Sequence, residues 1–235
     1  MFREPLAEFG LDAAQIDLCE KFYRLVIEQN RVMNLTAITE PQEFAIKHII
    51  DSVIAWDEKI FQGVETLADI GTGAGFPAIP LKIFRPHLKL CLIDSLAKRT
   101  EFLKKVVEAL ELDNVKIFHG RAEELSKQKN FREQFDVVTS RAVARLNILA
   151  EYCLPFAKVG GKFVAWKGKV FQEELDEARA AIKILGGGEI LIREIKLPLL
   201  DEKRAVIYIE KKKSTPEKYP RRESLIRKIK LGMGN

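Results

Sequence analysis

The chain has 235 residues, of which 47% are hydrophobic and 31% are charged. This length and composition predict one main domain with a sizeable core and a small additional lobe. No apolar run approaches the roughly 20 residues that a membrane-spanning helix needs. The three cysteines lie far apart and form no C-x-x-C motif, so neither a disulfide nor a metal site is predicted. We therefore expect a cytoplasmic protein without a membrane partner.

Positive charge is concentrated near the C-terminus. The net charge is +5 overall, whereas residues 201–235 alone carry 11 Lys and Arg against five Asp and Glu. Such asymmetry is typical of a chain end that contacts polyphosphate. A solvated tail that only aids solubility is the alternative explanation.

The N-terminal part of the chain has a helical pattern. Apolar residues recur at intervals of three and four over residues 16–27, as on one buried helix face. A second helix is predicted after Thr39, which can cap it, because Pro41 suits an early helical position. Residues 30–38 between them have a mixed pattern that is typical of a connection. We therefore expect a helical lobe over residues 1–62, packed on the main domain.

From residue 63 onward, short apolar strands alternate with helices, which predicts a mostly parallel sheet covered on both faces. Seven strands are predicted, over residues 66–70, 89–94, 115–119, 135–140, 161–168, 186–197 and 204–211. No clear helix separates the last two, so we expect them to form an antiparallel pair at the sheet edge. The prediction is an α/β, Rossmann-like domain over residues 63–212, followed by a basic tail over 213–235.

The turn after the first predicted strand has the pattern D-x-G-x-G-x-G, from Asp69 to Gly75. A P-loop would need a Lys after its last glycine, and the dinucleotide fingerprint G-x-G-x-x-G would place the third glycine one residue later. An acidic side chain before the turn would repel a pyrophosphate but would attract a ligand that carries an ammonium group. The pattern therefore favours S-adenosylmethionine (SAM), bound by Asp69, Gly71 and Gly73, over NAD.

Acidic residues also follow the next two predicted strands. Asp94 closes the second strand, where an acid accepts both hydroxyls of an adenosine ribose, a contact that fits SAM and NAD equally. Glu123 and Glu124 follow the third strand, where a carboxylate can meet an adenine amino group. The alternative for these two is a stabilising interaction with a helix N-terminus.

Eight segments, in the same order, resemble one known family, the bacterial small-subunit ribosomal RNA guanine-N7 methyltransferases (RsmG, or GidB). They are NRVMNLTAI (30–38), HIIDS (48–52), DIGTGAGFPAIPLKI (69–83), LIDSLAKRTEFL (92–103), RAEEL (121–125), FDVVTSRAVA (135–144), WKG (166–168) and STPEKYPRR (214–222). The resemblance covers nearly the whole chain. The family usually has a glycine where Ala78 stands, and a further glycine and proline after Arg222 that this chain lacks.

The resemblance implies a class I SAM-dependent methyltransferase that methylates N7 of one guanine in 16S rRNA, with the small ribosomal subunit as partner. The residues that it implies for the SAM pocket are Gly71, Phe76, Asp94, Ser95, Leu96, Ala122, Glu123 and Arg141.

The reaction places few demands on catalytic side chains. Guanine N7 carries an in-plane lone pair, so methyl transfer needs alignment and desolvation rather than a general base. Arg141 is the one catalytic candidate, predicted to hold the SAM carboxylate or to donate to guanine O6. A structural salt bridge is its alternative. Further candidates for the pocket mouth are Asn34, His48, Asp51 and Ser52, although the last two can instead cap a helix.

Basic residues at the ends of the fifth and seventh strands and in the tail are the predicted contacts to the RNA backbone. They are Lys167, Lys169, Lys211, Lys212, Lys213, Lys218, Arg221 and Arg222, with Tyr219 as a candidate for base stacking. A monomer is expected. A SAM-dependent methyltransferase of tRNA or protein, and a non-catalytic nucleotide-binding module, remain alternatives because a fold does not determine function.

Overall fold

A computed structural model describes residues 1–141, 144–168, 171–200 and 202–232. Its helices are α1 (Arg3–Phe9), α2 (Ala13–Met33), α3 (Pro41–Phe44), a π-helical segment (Ala45–Ile50), α4 (Asp51–Val53), α5 (Ala78–Phe84), α6 (Ala97–Ala109), α7 (Ala122–Leu125), α8 (Leu146–Cys153), α9 (Gln172–Ile184) and α10 (Glu223–Lys228). Its strands are β1 (Thr66–Ile70), β2 (Lys89–Asp94), β3 (Val115–His119), β4 (Phe135–Arg141), β5 (Ala157–Lys167), β6 (Gly187–Lys196) and β7 (Lys203–Lys211). Within these ranges, none of the helices combines the length and the apolar character that a membrane crossing requires.

The seven strands form one sheet in the order β3-β2-β1-β4-β5-β7-β6. Strands β1 to β5 are parallel, and β7 and β6 run antiparallel at one edge, which confirms the predicted arrangement. The register pairs Lys167 with Ala205 and Lys162 with Glu210. Because β7 runs against β5, β7 begins at the carboxyl edge of the parallel strands and ends at their amino edge.

Both faces of the sheet are covered. Successive residues of a strand point to opposite faces, so Leu67 and Val137 pack with the N-terminal helices, α5 and α6, whereas Ala68 and Val138 pack with α8 and α9. This two-sided burial explains why the central strands are continuous apolar runs.

The N-terminal helices differ in detail from the expected lobe. Helix α2 begins with a capping box of Asp12 and Gln15 and continues to Met33, four residues into the predicted connection. It ends at Asn34, whose left-handed backbone (φ 49°) allows its N–H to reach back to the carbonyl of Asn30. At α3 the capping residue is Glu40 rather than Thr39.

The C-terminal segment packs along the α8 and α9 face rather than extending as a tail. Tyr219, Ile226 and Leu231 are buried in the same apolar cluster as residues of these helices. Arg132 donates to the carbonyl oxygens of Thr215 (2.7 Å) and Tyr219 (3.0 Å). The segment thus crosses the face of the domain, and α10 lies next to the carboxyl edge of the sheet.

Candidate active site

The glycine turn needs glycine because its backbone is left-handed at alternate residues. Gly71, Gly73 and Gly75 have φ angles of 70°, 61° and 102°, a region that side chains with a Cβ rarely adopt. The N–H groups of Gly71 and Thr72 donate to the carbonyl of Ile93 at 2.9 and 3.1 Å. The turn is therefore fastened to the end of β2.

Asp94 connects the turn to the next strand. Its Oδ2 accepts from the N–H of Gly73 and its Oδ1 from that of Leu96, both at 2.9 Å, and Arg99 lies 3.5 Å from Oδ2. The residue is 2% exposed. Each carboxylate oxygen has two lone pairs, so Asp94 can still accept from ligand hydroxyls while it holds the turn.

A cleft, here called the β2–β3 cleft, opens beside this carboxylate at the carboxyl ends of β1, β2 and β3. Five predicted SAM-binding residues line it: Gly71, Asp94, Ser95, Ala122 and Glu123. The predicted residues Gly73, Phe76 and Leu96 are not among its lining residues, although the backbone of Gly73 and Leu96 positions Asp94. The structure therefore brings together the adenosine half of the predicted pocket.

Glu123 is a buried acid in this cleft. It is 7% exposed, and burial raises the pKa of its carboxyl above the ordinary value. Tyr152 and α10 residues Glu223 and Arg227 also line the cleft, and Glu223 forms an ion pair with Arg121. The sequence analysis missed these three residues, because nothing in the local pattern relates residue 223 to residue 121.

Asp69 is fully buried inside the sheet, where its Oδ1 accepts from Thr139 Oγ1 at 2.7 Å. Burial raises the pKa of its carboxyl to about 7. Its Oδ2 has no hydrogen-bond partner among the residues that the structure describes. Contact between Asp69 and a ligand ammonium would require this carboxyl to become accessible, so its first role here is to connect β1 with β4.

Arg141 ends β4 and forms the salt bridge that was the alternative to ligand contact. Its Nη1 lies 2.9 Å from Asp51 Oδ2, and its Nη2 donates to His48 Nδ1 at 3.1 Å. The guanidinium also lies over the ring of Phe76, 4.9 Å from its centroid. Arg141 lies outside the β2–β3 cleft, and its contact with SAM or guanine stays a prediction.

His48 is held in one uncharged state. Because Nδ1 accepts from Arg141, the ring proton is on Nε2, which donates to Thr36 Oγ1 at 2.7 Å. Burial, with the neighbouring charge of Arg141, lowers the pKa of His48 to about 3. The ring stacks on Phe76 with centroids 4.4 Å apart, so His48 is a neutral structural group rather than a base.

A second cleft of about 380 Å³, here called the β4–β5 cleft, lies between the ends of β4 and β5 and the N-terminal helices. It is lined by Ile38, Lys47, His48, Asp51, Arg141, Trp166, Lys167, Gly168 and Arg204. The π-helical segment supplies Lys47 and His48, in line with the frequent use of such irregular turns at functional sites. The two clefts flank the junction of β1 and β4, where the strand order reverses and ligands bind in open α/β sheets.

Two other candidates for the pocket mouth have structural roles. Asn34 caps the end of α2, and Ser52 is fully buried with its hydroxyl donating to the carbonyl of His48.

Several predicted RNA contacts are corrected by the structure. Lys211 is fully buried, with its Nζ donating to the carbonyl of Leu154 at 2.7 Å, so its prediction as a surface contact is wrong. Tyr219 is a core residue and cannot stack on a base. Lys167 donates to Glu174 and to the carbonyl of Ala144, both at 2.8 Å, which leaves its ammonium engaged within the protein.

The other tail candidates are distributed over the surface. Arg221 is paired with buried Glu151. Lys212, Lys213, Lys218 and Arg222 are exposed, and Lys212 pairs with Glu210. Lys212 and Lys213 follow the end of β7 and therefore lie at the amino edge of the sheet, opposite the two clefts. Lys169 lies outside the described residues.

The strand order, the helices on both faces and the position of the clefts show that the chain has the class I SAM-dependent methyltransferase fold. Solved structures share it: a SAM-dependent O-methyltransferase from Thermotoga maritima (TM-score 0.50, 15% identity, 81% of this chain and 72% of that one) and a putative transferase from Pyrococcus horikoshii (0.55, 14%, 74% and 66%). At such identities the likeness concerns the fold alone.

Relatives in sequence are far more similar. The family model for GidB, rRNA small subunit methyltransferase G, matches residues 15–206. The ribosomal RNA small subunit methyltransferase G of Exiguobacterium sibiricum is 48% identical over 98% of both chains, and that of Halalkalibacterium halodurans is 48% identical over 94% of both. The chain belongs to the GidB family of rRNA small subunit methyltransferases.

Proposed function

We propose that the protein transfers a methyl group from SAM to N7 of a guanine in the 16S rRNA of the small ribosomal subunit. The observation that carries this proposal is the pair of clefts on either side of the β1–β4 junction. One cleft contains Asp94, an acid placed to accept from the ribose hydroxyls of adenosine, and the other contains Asp51 and basic side chains. The names of its close relatives support an rRNA substrate. We further propose that it acts as a monomer in the cytoplasm.

The residues of the β2–β3 cleft fit the adenosine half of SAM. Asp94 keeps free lone pairs for two ribose hydroxyls, and the buried carboxyl of Glu123 can meet an adenine amino group. Gly71 leaves no side chain between the cleft and the backbone of the turn. When bound, SAM supplies an electrophilic methyl group on a sulfonium.

The protein's own groups then act by positioning and by excluding water. Phe76, at the end of the turn, packs against Phe22 and Phe44, with ring centroids 5.2 and 5.7 Å apart, which supports the turn from the N-terminal lobe. His48 stays neutral and adds no charge to the site. Arg141 is held by Asp51. None of these groups needs to remove a proton, since guanine N7 attacks through its own lone pair.

Exposed basic residues are the proposed contacts to the RNA backbone. Lys212, Lys213, Lys218 and Arg222 keep this role in the proposal, since phosphate contacts require solvent access and carry affinity that weakens with salt.

Transfer of labelled methyl from SAM to unmodified small subunits, to their extracted rRNA and to bulk tRNA tests the proposal, with the labelled base identified after digestion. We expect N7-methylguanine in the 16S rRNA. Label confined to tRNA or to protein would overturn the substrate. SAM binding without transfer to any acceptor would favour a binding module.

Asp94→Asn tests the cofactor site. The substitution removes the charge that strengthens hydrogen bonds to the ribose, each worth about 1.5–3 kcal/mol, so we expect SAM affinity measured by calorimetry to fall about 10- to 100-fold. Glu101→Gln is a matched control, because Glu101 is an exposed carboxylate on the adjacent helix that pairs only with Lys104 among its described contacts. Equal SAM affinity of Asp94→Asn and the wild type would contradict the assignment.

A further inference from the structure

The β4–β5 cleft contains a buried carboxylate oxygen that the protein itself leaves without a hydrogen bond. Asp51 is 3% exposed, and its Oδ2 is used by Arg141. Its Oδ1 has no hydrogen-bond partner among the described residues, and the nearest cation, Arg204 Nε, lies 3.4 Å away. A buried acceptor without a hydrogen bond lowers the stability of the protein, so a ligand that donates a hydrogen bond to Oδ1 would gain binding free energy here.

The charges around Asp51 favour a neutral ligand over an anion. Arg141 and Arg204 face Asp51, and the Nζ of Lys47 is neutralised by Glu43 and Glu202, each 2.6 Å away. The free oxygen of Asp51 would repel a phosphate or a carboxylate. The cleft therefore offers an acceptor to a ligand that brings N–H groups.

Trp166 holds the backbone on which Asp51 lies. It lines the cleft and donates from Nε1 to the carbonyl of Asp51 at 2.7 Å, which fixes the backbone that carries the carboxylate. Trp166 is only 4% exposed, so it supports this backbone and does not offer a ring face for stacking. The volume of about 380 Å³ is within the ordinary range for ligand sites.

Guanine presents the matching groups. When its N7 is directed at a methyl donor, its N1–H and 2-amino donors lie on the other side of the base. Adenine has an acceptor at N1 and no 2-amino group, so a carboxylate at that edge distinguishes the two bases.

We propose that the β4–β5 cleft receives the target guanine and that Asp51 Oδ1 accepts from its N1–H and 2-amino groups, which makes Asp51 a specificity-determining residue. This inference rests on the proposed guanine methylation. It assigns to the N-terminal helices a direct role in reading the base, separate from SAM binding at Asp94.

The test compares two acceptors that differ in one group. Small-subunit rRNA is assembled by ligation with either guanosine or inosine at the methylated position, and inosine lacks only the 2-amino group. For the wild type we expect kcat/KM to be about 10- to 100-fold lower with inosine, the loss of a hydrogen bond to a charged acceptor. In Asp51→Asn, the amide oxygen is expected to accept from Arg141 and the amide nitrogen to face the base, so the guanosine-to-inosine ratio should fall to near one.

Each outcome decides a different point. Because the ratio compares two substrates on the same protein, a partly unfolded variant does not alter it, and the wild-type ratio needs no variant at all. Equal rates on both acceptors by the wild type would overturn the role of Asp51 and leave the proposed function intact. No transfer to the guanosine acceptor would overturn the proposed function and this inference with it.

Two further measurements separate Asp51 from the cofactor site. We expect the SAM affinity of Asp51→Asn to stay within about twofold of the wild type, since Asp51 lies outside the β2–β3 cleft. A tenfold loss of SAM affinity with an unchanged base ratio would assign the cleft to SAM instead and overturn the inference. The control is Asp57→Asn, which removes a carboxylate paired with Arg193 at 3.3 Å outside the cleft and should leave the base ratio unchanged.

Discussion

Arg221 offers the sharpest test of whether the C-terminal segment is a structural element or a free RNA-binding tail. Its Nη2 lies 2.7 Å and its Nε 2.9 and 3.1 Å from the carboxylate oxygens of Glu151 on α8, and its backbone N–H also donates to Glu151 at 2.8 Å. The side chain of Glu151 is 1% exposed and that of Arg221 is 17% exposed. Arg221→Met keeps the apolar stem but leaves the buried carboxylate without its cation.

The expected loss of stability follows from this burial. Breaking a buried ion pair by removing one partner costs about 3–5 kcal/mol, and the partial exposure of Arg221 places it near the lower end, at about 3 kcal/mol. For a chain of this length, each kcal/mol lowers Tm by about 2–4 °C, so we expect a decrease of about 6–12 °C. Replacing both residues with Met should recover most of the loss, because no unpaired charge remains buried.

The assay is urea and thermal unfolding of the wild type, Arg221→Met, and the double variant with Glu151→Met, together with RNA binding at several salt concentrations. Arg222→Met is the matched control, because its side chain is exposed one residue further along and should change stability by about 0.5 kcal/mol or less. A loss below about 1 kcal/mol for Arg221→Met, accompanied by weaker and less salt-dependent RNA binding, would refute the structural role.

Two further predictions concern stability. Burial lowers the pKa of Lys211 to about 8 from 10.5, so between these values the unfolded chain binds more protons than the folded one, and stability attributable to Lys211 increases with pH. Relative to Lys211→Met, the wild type should therefore gain up to about 3 kcal/mol in free energy of unfolding from pH 7 to 10 in urea unfolding, whereas parallel pH curves for the two proteins would exclude the shift. Gly75→Ala would place a Cβ 2.7 Å from Ile79 Cγ1 and 3.2 Å from Leu103 Cδ2 at a φ of 102°, so we expect a loss of about 3 kcal/mol by the same method. In Gly73→Ala the Cβ would meet only the carbonyl oxygen of Gly71, at 4.0 Å, so we expect a loss of only about 1 kcal/mol; equal losses for the two variants would contradict the packing argument.

Local patterns were sufficient for the sheet and for bringing several candidate residues to one cleft. The seven strands, the antiparallel edge pair and the glycine turn followed from apolar runs and turn residues, because burial on both faces requires such runs in every central strand. Asp94 and Glu123 were found for the same reason, since residues that end parallel strands meet at one edge. The end of α2 was misplaced by four residues, because an Asn in the left-handed conformation gives little signal in a single sequence.

The sequence by itself determined the fold class, the glycine turn and the carboxyl edge at which the two clefts open, since each depends on spacing within a few residues. Only the tertiary structure decided which basic residues are exposed and therefore able to contact RNA. Lys211 and Arg221 were both predicted as contacts to the RNA backbone, yet Lys211 is fully buried and Arg221 neutralises Glu151, 70 residues away. The pairing of Asp51 with Arg141 likewise joins residues 90 apart. Charge and hydropathy are properties of each residue type and can be read from the sequence. Burial and ion pairing depend on contacts between distant segments, which form only when the sheet and its covering helices are assembled.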